Sequence, residues 1–369
     1  MTVFTRTVLA AGLPGLDVLH LDTSDHRGIG NVGRLDLVNA WNALRHLVAL
    51  AGRLLAYRPD VLYLPIAQGR LGYLRDGLFL VLARLARVPA VVHLHGSALR
   101  AFHDSTDPVT RAFLSSTLSA VSHAIVLTES LRDQFEPFVP ADRIRVVENG
   151  VEGPADPATL PHEGLRVGYL GLLAREKGTL ALLEASLLVL EARPEVRFAF
   201  AGHWYAESDR QAAEAILARR PELAHRVEFP GPLDGEAKER FLASLDLFVF
   251  TPLGLEGQPL ILLEAMARGL PLAIHPTGGI AETAPETENA VHIPRPEPPA
   301  IARAIVDLLG DPHRRRAMGS ANRARYLARH TPAACAARLA EVLARAARER
   351  ETRDSPYRPR SRASPDGIC

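Results

Sequence analysis

The chain has 369 residues, 47% hydrophobic and 23% charged, the proportions of an ordinary globular protein, which exclude a collagen, a coiled coil and a mainly disordered chain. Forty-three basic residues stand against forty-two acidic ones, a formal net charge of +1, which argues against a dedicated nucleic-acid binder and puts no nucleic acid among the partners. The two cysteines, Cys335 and Cys369, fall in no C-x-x-C or Cys/His ligand spacing, so no zinc site or disulfide framework is implied, and a reducing cytoplasm fits. No apolar run is long enough to span a bilayer, and the N-terminus lacks a charged stretch followed by a long apolar core, so neither a spanning helix nor a signal peptide is expected.

In chain order, apolar runs read as strands: Leu16–Leu21, Asp60–Pro65, Ala90–His95, His123–Thr128 and Ile144–Glu148. Helical patterns Asp36–Tyr57 and Tyr73–Arg87 lie between them. Val151–Gly164 has four prolines and no periodicity, and reads as a linker. A second series follows it, with strands Leu165–Leu170, Val196–Ala201, Arg226–Phe229, Leu247–Thr251, Leu272–His275 and Ala290–Ile293, and helices Gly178–Ala192 and Pro259–Arg268. Continuous apolar runs alternating with helices predict α/β architecture with parallel strands covered on both faces. The expectation is two doubly wound Rossmann-like domains facing a cleft, residues 1–155 and residues 156–330, followed by a C-terminal helix at 331–350 and a disordered tail at 351–369.

The basic residues are lopsided: forty-one arginines and two lysines, Lys177 and Lys238. In a chain that otherwise avoids lysine, each draws attention. The most informative stretch is Leu255–Pro271, LEGQPLILLEAMARGLP. Pro259 suits a first helical position and Gly269 a helix stop, so a helix begins near Gln258 and carries Glu264 inward on an apolar face, with Glu256 in the loop before it. The free N–H groups of such a helix start form an anion site, while the carboxylates on either side can accept hydroxyl hydrogen bonds. A capping loop and a surface glutamate are the plainer reading. That reading is disfavoured because a carboxylate among LILL and AMA needs a partner. His93 and His95 share one side of a strand; His95, before Gly96 at the carboxyl end, reads as functional, and His93 as a satisfied core histidine. GIGNVG at Gly28–Gly33 fails as a dinucleotide fingerprint because it does not directly follow a strand and open a helix with an acidic residue about 20 positions on, and reads as a loop. Arg314–Arg316 reads as a solvated face, with attraction to anionic lipid as the alternative.

E-x7-E in the setting EGQPLILLEAMARGLP resembles the signature of the family 4 retaining glycosyltransferases of the GT-B fold. Four further stretches resemble that family's motifs in the expected order: VVHLHGS at Val91–Ser97, VVENGVE at Val146–Glu152, YLGLLAREKG at Tyr169–Gly178 and PTGGIAE at Pro276–Glu282. The resemblance implies that Glu264 binds the ribose hydroxyls of a nucleotide sugar, that Glu256 lies at the donor sugar, that Lys177 neutralises the diphosphate and that His95 touches the sugar from the other domain. Gln258, Pro259, Leu260, Gly278 and Gly279 would border the donor. Leu172 stands where the family has a second diphosphate-binding arginine, and Arg175 is the candidate replacement.

The implied activity is transfer of a sugar from a nucleotide donor such as a UDP- or GDP-sugar, with retention, to a glycan or lipid-linked acceptor in bacterial surface-polysaccharide synthesis. The rivals are a GT-B epimerase or hydrolase and a non-catalytic nucleotide-sugar binder. No D-x-D pair occurs, so no metal and no cofactor is expected, the nucleotide sugar being a substrate. The expected location is the cytoplasm, with peripheral contact to the cytoplasmic face of the inner membrane as its variant. Against the family pattern the first strand and its Gly-rich loop are missing. Either the protein starts about 15–25 residues earlier, the size of one strand and loop, or this is a shortened and inactive relative.

Overall fold

The computed structural model describes residues 3–23, 37–157 and 164–354. Two parallel sheets organise it. The first has the order β1-β2-β3-β4, with β1 Leu62–Pro65, β2 Ala90–His93, β3 His123–Val126 and β4 Ile144–Val146. The second contains β5 Leu165–Leu170, β6 Val196–Ala201, β7 Val227–Gly231, β8 Leu247–Phe250, β9 Leu272–Ile274 and β10 Val291–His292, in the order β10-β9-β8-β5-β6-β7. Renumbered within its lobe, that is 3-2-1-4-5-6 read from the other edge, the doubly wound order of a Rossmann sheet. β5 and β8 are neighbours, with Val167 opposite Leu247, and the order reverses between them. Ligands of such sheets bind at that switch point, outside the carboxyl ends of the strands.

The strands read as unbroken apolar runs because helices cover both faces. β8, LFVF, is buried at all four positions, as are β2 and β3. Helix Thr179–Ala192 packs against β6 and against helix Pro298–Gly310. The large apolar cluster of this lobe runs from Val167 to Tyr326.

Two expectations change. Leu16–Leu21 forms no strand. Leu16 and Leu21 pack on neighbouring apolar clusters, Val18 and Leu19 point to solvent, and the His20 carbonyl accepts from Arg53 rather than from a ladder. An apolar run becomes a strand only when an edge lies about 4.8 Å away, and no described residue offers one there. β1 accordingly ends the sheet, half-exposed along its length. The second change concerns the C-terminal segment. Helix Pro332–Asp354 is longer than predicted, so Glu351–Asp354 are helical rather than part of a disordered tail. Residues 355–369 and the loop Gly28–Gly33 lie outside the described residues.

That last helix returns to the first lobe. Cys335, Leu339, Val342, Leu343 and Ala346 share one buried cluster with Val91, Ile125 and Val147 of the first sheet and with Phe4 and Val8 of helix Val3–Ala11. The segment thus closes the underside of a lobe whose other residues lie some two hundred positions earlier. Leu339→Ala should cost about 2–5 kcal/mol, the usual loss for a fully buried leucine, read as a lower urea midpoint at unchanged m-value. An unchanged midpoint would show the helix to be dispensable for this lobe.

Candidate active site

The loops that leave β5 and β8 meet at the switch point. After β5 the chain makes a short 3-10 turn, Arg175–Lys177, and then Gly178 at φ +75°. Any Cβ at Gly178 would overlap the Thr251 carbonyl oxygen at the end of β8, so both the left-handed conformation and the close approach demand glycine. The Leu253 N–H donates to the Glu176 carbonyl at 2.8 Å, clasping the two loops. In this arrangement the Lys177 ammonium donates to Glu256 Oε1 at 2.5 Å.

Helix Leu260–Ala267 follows, with Pro259 at its N-cap in extended conformation. Its side chains Leu262, Leu263, Ala265, Met266 and Ala267 are buried, which turns Glu264 toward the helix Gly235–Ala243. There Lys238 Nζ donates to Glu264 Oε1 at 2.8 Å, and the glutamate side chain is only 13% exposed. Burial raises the Glu264 pKa; Lys238 opposes that rise, and nearby Glu239 adds to it. Lys238 was not among the predicted site residues. Its signal was present, however: the chain holds two lysines, and each neutralises one carboxylate of the E-x7-E pair.

The first lobe reaches this point through the end of β2. A Cβ on Gly257 would lie 2.8 Å from the His95 carbonyl oxygen, so the Glu256–Gly257 loop and the strand end carrying His95 are in backbone contact. The Ser97 hydroxyl donates to the Leu255 carbonyl at 2.9 Å. His95 packs on Phe4, ring centroids 4.3 Å apart, and on His93 at 4.0 Å. Burial pushes the His95 pKa down to about 4, against a side-chain hydrogen bond with Asn149 that works the other way. Its ring is neutral, and its Nε2 is buried without a protein partner. His93 is fully buried and bonded through Nδ1 to the Tyr63 hydroxyl at 2.7 Å. Its Nε2 also lacks a partner, so it is a core histidine only half satisfied.

The remaining predicted residues divide. Gly278, at φ +56°, lies so close to the Glu256 backbone that a side chain could not fit, and the Gly279 N–H donates to the Glu256 carbonyl at 3.0 Å. Both therefore shape the Glu256 loop from behind. Pro259 and Leu260 are half-buried at the helix start. The Gln258 side chain is turned inward. It is 4% exposed; its amide oxygen accepts from the Asn149 N–H at 2.6 Å and its amide nitrogen donates to Thr283 Oγ1 at 3.1 Å. Arg175 is exposed on the turn, two residues before Lys177. Sequence reasoning also missed Glu282, whose two carboxylate oxygens accept the Glu129 and Ser130 N–H groups of the first lobe, each at 3.1 Å.

Two Rossmann-like lobes meeting over such a helix start define the GT-B architecture. Residues 156–325 match the family described as glycosyl transferases group 1, and residues 4–150 match the glycosyl transferase 4-like domain. The chain belongs to the group 1 (family 4) glycosyltransferases. It is 26% identical to alpha-D-kanosaminyltransferase of Streptomyces kanamyceticus, over 64% of this chain and 66% of that one. It is 28% identical to the GDP-mannose-dependent monoacylated alpha-(1-6)-phosphatidylinositol monomannoside mannosyltransferase of Corynebacterium glutamicum, over 46% of this chain and 45% of the relative. The matches therefore span less than two thirds of the length of either relative. Among solved structures, Anabaena HepE in complex with UDP superposes with a TM-score of 0.69 at 19% identity, covering 83% of this chain and 84% of that one; this likeness concerns the fold. No helix among the described residues is long and apolar enough to cross a membrane.

Histidines whose pKa values burial lowers, among them His95, His330 and His93, make stability depend on pH. His95 stays neutral in the fold down to about pH 4 and His330 down to about 3, and burial also lowers His93. The unfolded chain protonates each near pH 6.5. Stability is therefore full above that pH and is lost as pH falls toward the folded values. Each histidine should contribute up to about 1.4 kcal/mol per pH unit between pH 6.5 and 4. Urea unfolding across that window should show the slope, and His330→Gln should make it shallower. An unaltered slope would mean that His330 is charged in the folded protein.

Proposed function

We propose that this chain moves a sugar from a nucleoside diphosphate sugar to a hydroxyl of a glycan or lipid-linked acceptor, with retention at the anomeric carbon, in the assembly of surface polysaccharide. One observation carries the reading: the start of helix Leu260–Ala267 lies between two lysine-held carboxylates, Glu256 and Glu264, against the strand end that carries His95. Lys177 and the helix N–H groups meet the diphosphate, and Glu264 accepts the ribose hydroxyls. Glu256 and His95 border the sugar from opposite lobes.

The chemistry follows from charge. As the anomeric C–O bond breaks, the departing diphosphate takes the electron pair, and the added charge falls where an ammonium and a helix N-terminus already point. Such fixed donors stabilise the transition state more than the ground state. In this reading Lys177 and the helix N–H groups, rather than a metal ion, meet the diphosphate charge. Retention requires that the acceptor oxygen enter on the face the diphosphate leaves, or that two displacements follow one another. A neutral His95 suits a hydrogen bond to a sugar hydroxyl better than an imidazolium would, because it adds no charge beside the developing cation.

Calorimetry with UDP and GDP, followed by labelled UDP- and GDP-sugars offered with lipid and glycan acceptors, tests this reading. Glu264→Ala should weaken nucleotide binding by about 1.5–3 kcal/mol, the loss of charged hydrogen bonds. Lys177→Ala should slow transfer about 10²–10³-fold. Proton NMR of the product should show the donor's anomeric configuration. Label that remains in intact donor, with every acceptor class present, would reduce the chain to a binding protein.

A further inference from the structure

Helix Leu37–Tyr57 is apolar on two opposite faces. One face, with His46, Leu50 and Leu54, is buried against Phe79 and Val88 of the first lobe. The other carries Val38, Trp41, Leu44, Val48 and Leu55, all exposed, with Trp41 at 66% and Leu55 at 75%. At 100° per residue these five share one stripe, opposite the buried face, along a helix about 31 Å long. A contiguous apolar stripe of this length on a protein surface marks a contact site.

The charges around it select the occupant. Between Leu37 and Arg87 there are seven arginines and two aspartates, whereas the whole chain has a net charge of +1. One of those aspartates, Asp76, is fully buried and paired with Arg75. The helix itself contains no acidic residue; its Arg45 is exposed beside the stripe, whereas Arg53 is half-buried and donates to the His20 carbonyl. The neighbouring helix Arg70–Leu85 adds exposed Leu78, Arg84 and Leu85. Trp41, Leu44, Val48 and Leu55 also follow the spacing of a helix-pairing seam, but a second copy would set arginine against arginine with no carboxylate to answer it. An outward apolar face that carries a tryptophan and is bordered by the exposed Arg45 is the form of a helix that lies in a lipid headgroup layer.

We infer that the outward face of helix Leu37–Tyr57 docks this protein on a membrane surface rich in anionic phospholipid. Arg314–Arg316, the basic run that sequence alone suggested, is a weaker candidate, because Arg315 donates to the Leu308 and Leu309 carbonyls instead of facing outward. The helix leads directly into β1, so its Trp41 end lies toward the carboxyl ends of the strands, where the cleft opens. Docking here does not depend on the donor chemistry proposed above.

The test is sedimentation of the full chain with vesicles of phosphatidylcholine, with and without phosphatidylglycerol. A Trp204→Phe background leaves Trp41 as the sole tryptophan reporter. The expected result is binding to the phosphatidylglycerol vesicles alone, weakened by salt, with a blue shift of Trp41 emission. Val48→Glu, at an exposed position, should lower vesicle affinity roughly tenfold or more, since a carboxylate replaces an apolar contact at an anionic surface. Its circular dichroism and nucleotide affinity should match the parent, which separates failure here from failure at the donor site. Absence of binding to anionic vesicles, or binding untouched by Val48→Glu, overturns the inference. So does a stable dimer by light scattering that Val48→Glu dissociates.

Discussion

The site depends on keeping two carboxylates charged where water is scarce. Glu264 is nearly enclosed where its helix faces helix Gly235–Ala243, and Glu256 is largely buried against the turn that carries Lys177. An ionised group in such a place must be paired or give up its charge. Lys238 and Lys177 meet that requirement one for one. Lysine suits the task better than the arginine this chain uses elsewhere. A compact ammonium on a flexible stem can share its protons with an incoming anion, whereas a guanidinium fork locked on a carboxylate cannot do so easily.

The pairs are useful only because the backbones around them come unusually close. Gly178 lets the Lys177 turn press against the end of β8, and Gly278 lets the PTGGIAE turn press against Glu256. Gln258 adds a tie between parts. Its side chain joins Asn149, at the exit from the first lobe, to Thr283, at the end of that turn. Glu282 then reaches back to the N–H groups of Glu129 and Ser130. Helix Leu260–Ala267 is therefore braced by polar contacts to the opposite lobe, and its position depends on how the lobes sit.

Much of this was legible in the residues. β5 and β6 coincide with their predicted limits, because a strand covered on both faces must be apolar throughout and is bounded by the glycines and charges that follow. Leu16–Leu21 has the same texture and fails for a reason no local pattern carries: pairing needs a partner edge. The interest of Glu256, Glu264 and Lys177 was visible in the motif, the roles proposed for them rest on the family resemblance, and the structure brings Lys177 to Glu256. The pairing of Lys238 with Glu264 arises because two helices twenty-odd residues apart lie side by side, and only the scarcity of lysine hinted at it. The inward turn of Gln258 was hidden because it depends on a neighbour more than a hundred residues away.

The chain crosses between its lobes twice, and the crossings run side by side. The outgoing segment at Val151 donates its N–H to the carbonyl of His330, just before the returning helix, and Tyr326 holds the Val151 carbonyl at 3.0 Å. Close by, Glu148 is held between Arg329 and Arg338. A body joined at two well-separated points cannot turn, and one joined at a single point turns in any direction. Two bonded segments lying together act as a pin, and with the polar ties at Gln258 and Glu282 they resist the shear that would slide Gly257 off the His95 strand end.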